Sequence, residues 1–558
     1  MKQALIASAI FLTLIPTASA QKNHPAVGRP LDIPAVFAGN FGELRPNHFH
    51  SGLDFKTQGR TGLPIKAIDD GYVSRCIVSP WGFGRAIYIV HPSTGLTSVY
   101  GHLENFSDKI DNVVRDLQYQ NETFTIDLDF EPDEIPVKRG EIIALSGNAG
   151  SSGGPHLHMD IRDTATGDAL DPMEFYRDIV NDNVAPEVRN LGLYPITDKG
   201  IVNGNTDGTV LAPNEFSKGF TAWGRVTPAI NAFDRMTGTG NIYGVKYLTL
   251  IVDGRQVYKR TIDRFSFDST KAVNTLAYYP DVARRGRWMM VTYVPPTRPL
   301  GDMIEVEGDG SIDINEERDY KMEFVLEDEM GNVTRRPFTV RGCRSDIPVK
   351  SGSGSLLNFD GEHSYNNQGV KARLPKGILY DNTYFKIDVS PATDGYRSPI
   401  ATIGDYQVPL AGAFEIEIPL TNDNESDKSK YCLVRLSGNR RSAVDAMYEN
   451  GIMKAKVDRF GRYGVTVDKT APTITPITGK NTTPGILKYR ISDNLSGVDD
   501  YRCEIDGKFA LFELDGKTAT ISFKMDPDRF KKGTDHQILV TVTDACGNTA
   551  EHRQTFRW

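Results

Sequence analysis

Between Pro155 and Ile161 the chain alternates strictly: Leu157, Met159 and Ile161 take one parity, His156, His158 and Asp160 the other. A period of two is the signature of a strand with one buried and one solvated face. The segment is therefore predicted to be a half-buried strand carrying two imidazoles and a carboxylate on one side. At ~3.3 Å per residue the imidazoles stand about 6–7 Å apart, so one can bind a metal while its neighbour stays free beside it. Gly147, Gly150, Gly153 and Gly154 precede the strand. Such glycines permit tight turns and close approach of another backbone, which suits a groove floor for an extended peptide.

Six of the ten histidines (His48, His50, His91, His102, His156 and His158) fall between positions 48 and 158, and none lies from 159 to 362. Imidazole is the commonest neutral metal ligand and the usual proton shuttle near neutral pH, so this clustering places chemistry in the N-terminal part. His50 and Asp54 are four residues apart, a spacing that shares one face on a helix and on a strand. Gly52 between them argues against a helix interior. His102 closes a strand–turn–strand pattern: Arg85 to His91, a turn at Pro92–Gly95, then Leu96 to Leu103. His91 ends a strand before Pro92 and is read as structural. His48 is read as groove lining.

These positions, in this order, resemble the lysostaphin-type (LytM-like) zinc endopeptidases of bacterial cell walls. The strings that carry the likeness are HFHSGLD, VYGHL and SGNAGSSGGPHLHMD, within about residues 40–175. The segments PIKAIDDGYVSRCI, GFGRAIYIVHPSTGLTSVYGHL and PVKRGEIIALSGNAG also look like that family's core strands. The resemblance implies that His50, Asp54 and His158 bind one Zn2+ per chain, leaving the fourth tetrahedral position for water, the pattern of a catalytic rather than a structural site. Zinc would polarise the scissile carbonyl and acidify that water. No H-E-x-x-H string occurs, so a histidine must act as base. His156 is the first choice, and His102 is the second free imidazole, steadying the oxyanion or sharing the proton transfer. Two departures stand out. Asp160 occupies a position where the family usually has Glu, though it can still orient an imidazole. No Tyr precedes His50 in the mature chain to support an oxyanion.

Elsewhere the chain reads as mainly β. Its 558 residues suggest three or four domains, and 52 glycines with 31 prolines suit short strands joined by turns. A net charge of −8 without a long basic block excludes the electrostatic footprint of a nucleic-acid binder. Residues 104–134 hold ten acids against Lys109 and Arg115 and read as an insertion, with a helix over Ser107 to Gln118 and a strand from Phe124 to Phe130. Beyond about 187 an internal echo appears. Asp234 with Gly238, Tyr247 and Asp253-Gly254 is answered by Asp493 with Gly497, Tyr501 and Asp506-Gly507. Asp328-Glu329-Met330-Gly331-Asn332 is answered by Asp544-Ala545-Cys546-Gly547-Asn548, each after an alternating strand. These features suggest β-sandwich modules that resemble the immunoglobulin-like modules of exported bacterial enzymes. Their acids are read as turn residues rather than calcium ligands.

The expected organisation is a signal peptide over 1–20, an antiparallel β peptidase domain over 21–187, and three β-rich domains over 188–343, 344–468 and 469–558. Lys2, the apolar run Ala4–Leu14 and Ala18-Ser19-Ala20 form the export address, with cleavage near Gln21 and no Cys there to take a lipid. No later stretch is apolar enough to span a bilayer, so a periplasmic or extracellular location is expected. Five scattered cysteines make no disulfide framework, although Cys503 and Cys546 could pair. The function implied is a zinc metalloendopeptidase cutting the peptide part of peptidoglycan. The alternatives are a non-catalytic cell-wall-binding regulator and a zinc peptidase acting on proteins.

Overall fold

The computed structural model describes residues 24–349, 354–477 and 485–558. The export address at 1–20 lies outside these residues. Strands dominate, arranged in successive sheets along the chain. No helix among the described residues is long and apolar enough to cross a membrane.

The first sheet runs in the order Phe37–Gly39, Leu53–Lys56, His156–Asp163, Leu96–Phe106, Arg85–His91, Gly71–Val78 and Pro136–Val137. Every pairing along this path is antiparallel. Its core takes the apolar parity of each strand: Leu53 and Phe55, Leu157, Met159 and Ile161, Ile87 and Ile89. The opposite parity of the two central strands then faces one side together. The hairpin predicted around Pro92–Gly95 forms, with strands Arg85–His91 and Leu96–Phe106. The acidic insertion folds as a helix, Asp108–Gln120, whose Ile110 and Val114 pack on the sheet's core. A strand, Ile126–Asp129, follows and pairs with Gly71–Val78.

One expectation needs correction. The His156–Asp163 strand is buried on both faces. Its polar side is roofed by Phe83, whose ring lies 4.8 Å from that of His158. Phe267, from the following unit, covers Arg162 at 4.2 Å.

The second, ten-stranded sheet is built on two long antiparallel strands, Glu187–Val202 and Phe220–Phe233. It contains one parallel pair, Phe220–Phe233 with Val333–Gly342, whereas the first sheet is antiparallel along its path, as expected for the N-terminal unit. Two five-stranded sheets follow, enclosing a core that includes Leu374, Phe385, Phe414, Leu433 and Tyr463. Two four-stranded sheets close the chain around Tyr489, Ile505, Ile521 and Val540. All five cysteines are free. Cys503 is locked in this last core, whereas Cys546 packs with Cys432 of the preceding unit, so the expected pair does not form.

The second unit is stitched to the first. Its Arg264–Phe265 strand pairs with Ala169–Leu170 at the border of the first sheet. Lys246 is buried between them, 2.9 Å from Asp171 and 3.1 Å from Glu174, and also meets Glu329. Burial works against its charge, but the Asp171, Glu329 and Glu174 carboxylates hold the ammonium protonated far above the usual lysine range. Removing one partner from a buried ion cluster strands the others. Lys246→Met should therefore cost about 3–5 kcal/mol, read as a fall in the urea midpoint of the transition that unfolds these two sheets. An unchanged midpoint would show that the cluster does not hold them together.

Candidate active site

Asp54 and His158 are direct partners in the antiparallel pair formed by Leu53–Lys56 and His156–Asp163. Opposed residues on neighbouring strands share a face, their Cβ atoms about 4.5–5.5 Å apart. His50 enters from the turn just before the first of these strands. That turn needs Gly52, because a Cβ there would stand 2.2 Å from the Met159 carbonyl oxygen. His102 arrives by a different device. Arg85 pairs with Leu103 but Ile87 with Tyr100, so the Leu96–Phe106 strand carries one extra residue, a β-bulge. His102 sits in it at φ 60, a left-handed conformation that bulges tolerate and that re-aims a side chain.

The side chains converge. His50 Nε2 lies 3.0 Å from Asp54 Oδ1 and 3.1 Å from His158 Nδ1, and His158 Nδ1 lies 2.9 Å from Asp54 Oδ1. All three residues are buried. The remaining ring nitrogens set the tautomers. His50 Nδ1 donates to the Asn40 carbonyl at 2.6 Å, and His158 Nε2 to Asp160 Oδ1 at 2.6 Å. Asp160 is in turn held by Arg162 through two bonds of 3.0 and 2.6 Å. Two nitrogen lone pairs and a carboxylate oxygen therefore meet at one point, an arrangement that a cation satisfies. The set of two imidazoles and one carboxylate suits a catalytic zinc ion, and the residues fit the metal implied by the motifs.

The electrostatics agree. Burial opposes ionisation of Asp54, but the His50 charge and hydrogen bonds from His156, His158 and His50 hold its carboxyl far below the usual carboxylate range. Burial works against a charged His158, yet the carboxylates of Asp160 and Asp54 push it up to about 9. Asp160 stays ionised despite burial, held at about 2 by His158 and Arg162. A proton and a metal thus compete for His158 Nδ1, and metal binding releases that proton.

Two further imidazoles flank the cluster. His156 turns Nδ1 to the Gly154 carbonyl at 2.8 Å and to Ser152 Oγ at 3.2 Å, leaving Nε2 3.4 Å from Asp54 Oδ1. His102 donates Nδ1–H to the Ala149 carbonyl at 2.8 Å, and its ring lies 4.7 Å from that of His156. Burial, reinforced by His158 and His156, pulls His102 down to about 3. Of the preceding glycines, Gly150 is required by close packing on Gly84, whereas Gly153 and Gly154 face open space.

All five residues singled out in the sequence, His50, Asp54, His102, His156 and His158, therefore lie together. His48 does not join them; it is exposed, with Nδ1 on the Pro46 carbonyl. His91 is buried and tied to the Asp70 carbonyl and Ser98, a structural role. Three participants escaped the sequence reading. Arg45 reaches Asp54 Oδ2 at 3.3 Å, Phe83 roofs His158, and Arg162 braces Asp160. Only Arg162 had a signal, sharing the strand parity of Asp160; nothing local marks Arg45 or Phe83.

Residues 354–468 match a family described as a Zu5-like domain. The chain is also similar to an uncharacterized metalloprotease of Haemophilus influenzae, 33% identical over 132 residues, which is 24% of this chain and 21% of that one. It is also similar to the DD-carboxypeptidase/endopeptidase Mpg of Neisseria meningitidis serogroup B, 29% identical over 113 residues, 20% of each chain. Among solved structures it matches the catalytic domain of lysostaphin from Staphylococcus simulans, at 25% identity and TM-score 0.19, over 26% of this chain and 92% of that one. The match thus spans about a fifth of the length of the curated relatives. The likeness carried by the histidine motifs is supported by the curated relatives, lysostaphin of Staphylococcus simulans among them at 28% identity over 130 residues.

Residues that orient a metal-binding imidazole typically contribute 10–100-fold to metal affinity. Asp160→Asn should lower zinc affinity by about that factor, measured by competition against a chromogenic chelator. Affinity equal to that of the unaltered protein would remove Asp160 from this role.

Proposed function

We propose that this chain, whose N-terminal part is of lysostaphin type, is an exported zinc metalloendopeptidase that hydrolyses the peptide stems or cross-links of peptidoglycan. The observation that carries the reading is the convergence of His50, Asp54 and His158 at 2.9–3.1 Å with two free imidazoles alongside. The units we propose are a peptidase domain over 21–187 and three β-rich units over 188–343, 344–468 and 469–558, the first and last immunoglobulin-like. The sequence pattern at 1–20 supports export to the periplasm or beyond.

His50 Nε2, Asp54 Oδ1 and His158 Nδ1 would hold one zinc ion. When bound, zinc supplies Lewis-acid polarisation of the scissile carbonyl and lowers the pKa of water. His156 presents Nε2 to the cluster with its tautomer set by the Gly154 carbonyl, so it can accept a proton at that atom and return it to the leaving amine. His102 presents its own Nε2 beside it, since Nδ1 is spent on Ala149, and it shares that transfer. Phe83 shields the cluster from solvent on one side, which strengthens the electrostatic interactions inside.

Purified mature protein should release muropeptide fragments identifiable by mass spectrometry, lose this activity on chelation, and recover it with zinc. His158→Ala should lose zinc. His156→Ala should retain zinc yet cleave about 100-fold or more slowly. Normal cleavage by both variants would refute the mechanism, and digestion of unfolded protein in preference to peptidoglycan would refute the substrate.

A further inference from the structure

Two carboxylate triads lie outside the histidine cluster, one at each of the echoing units. Asp182, Asp234 and Asp328 form the first, with Asp234 and Asp328 buried; Asp468, Asp493 and Asp544 form the second; in each, one oxygen per residue lies within 4.8 Å of the others. The two are built alike. Asp328 Oδ1 accepts the backbone N–H groups of Met330 and Asn332, both at 2.8 Å. Asp544 Oδ1 accepts those of Cys546 and Asn548 at 2.9 and 2.8 Å. Asn332 donates from its amide to Asp328 Oδ2 at 2.8 Å and to the Asp182 carbonyl at 3.3 Å. Asn548 does the same to Asp544 Oδ2 and the Asp468 carbonyl, at 2.8 and 3.2 Å. In each unit one acid thus comes from the connecting segment before the unit, one from a loop, and one from an Asp-x-x-Gly-Asn turn.

These bonds do not account for every carboxylate oxygen. Asp234 is 2% exposed, and its Oδ1 has no hydrogen-bond partner. Asp493 Oδ1 is likewise buried and unpartnered, although its Oδ2 accepts from Leu495 and Gly497. A buried acceptor without a donor costs free energy unless something else satisfies it. Burial first, then the like charges of Asp328 and Asp182, push Asp234 up to about 8; only the Arg235 backbone N–H acts the other way. The charged neighbours it feels are therefore further acids.

We infer that each triad is a binding site for a calcium ion, two per chain, which fastens the segment before the unit to its loops. The grouped donors are all carboxylate oxygens, the preference of a hard divalent cation, and among the described residues no His or Cys is grouped with them. Ligands at 2.3–2.6 Å from one ion cannot be more than about 5 Å apart, and both triads meet that limit. Asp182 joins the second sheet to the peptidase unit, and Asp468 joins the last unit to the Zu5-like one. At the first site the ion also anchors the base of the loop from Asp234 to Tyr243, whose two ends are bonded backbone to backbone. The reading of these acids as turn residues is correct for Asp328, Asp493 and Asp544, but it leaves Asp234 without a purpose and the buried Oδ1 of Asp493 without a partner.

The test uses the mature full-length chain, stripped of divalent ions by EGTA, freed of the chelator, reloaded with one equivalent of zinc and then dialysed with or without CaCl2. Metal analysis should find two calcium ions per chain, one after Asp234→Asn and none after Asp234→Asn combined with Asp493→Asn. Calcium should raise the melting temperature of the unaltered chain, whereas MgCl2 at the same concentration should leave it in place. In the calcium-free state Asp234→Asn should melt at or above the unaltered chain, since it removes the cost of burying an acid there. This sign separates a lost ligand from a damaged fold. Asp182→Asn, outside the strands, gives a second reading of the same site. Absence of calcium at millimolar concentration, an equal response to magnesium, or calcium retained by the double variant would overturn the inference.

Discussion

Asp54 stands opposite His158 across two antiparallel strands, and the chemistry of the protein rests on that register. The same pairing sets Phe55 beside Leu157 in the core. A slip of one residue would turn Asp54 into the core and Phe55 toward the imidazoles. The hydrophobic parity of the two strands therefore enforces the convergence of Asp54 and His158: burial of Leu53, Phe55, Leu157, Met159 and Ile161 leaves the polar parity no other place to go. His50 joins through a turn that Gly52 allows, and His102 through a bulge. Both are local departures from regular structure, placed where a regular strand would aim the side chain elsewhere.

The units that follow are not passengers. Asn40, whose carbonyl orients His50, exchanges two hydrogen bonds with the backbone of Gly244, at 3.0 and 2.9 Å. Asn241 and Tyr243 reach the carbonyls of Ala38 and Phe37 in the strand beside Asp54. The loop from Asp234 to Tyr243 thus braces the edge of the peptidase sheet. The last unit also approaches: Arg85 pairs with Glu513, and Lys517 reaches the Asn148 carbonyl in the glycine-rich loop. A calcium ion at Asp182, Asp234 and Asp328 would stiffen the base of the bracing loop and so reach the proposed zinc site indirectly.

Much of this was legible from residue order alone. The hairpin around Pro92–Gly95, the insertion helix and the histidine strand follow from turn chemistry and period-two alternation, which depend only on neighbours along the chain. The roof of Phe83, the reach of Arg45 and the burial of the polar strand face were not, because each depends on a segment brought in from elsewhere. The Cys503–Cys546 expectation failed for the same reason. Closeness in sequence put them together, and the packing of the last core kept them apart.

By itself the sequence determined which side chains were available: five residues able to bind metal or carry protons, a β-rich chain, and a repeated Asp-x-x-Gly-Asn turn. Only the tertiary structure decided that residues 104 apart share one point, as Asp54 and His158 do, which nitrogen of each imidazole faces it, and that Asp182 and Asp468 complete two triads begun elsewhere. The physical reason is range. Alternation and turns are set by local sterics and hydrogen bonding, whereas convergence requires the whole sheet to pair in one register, and no short stretch of chain contains that information.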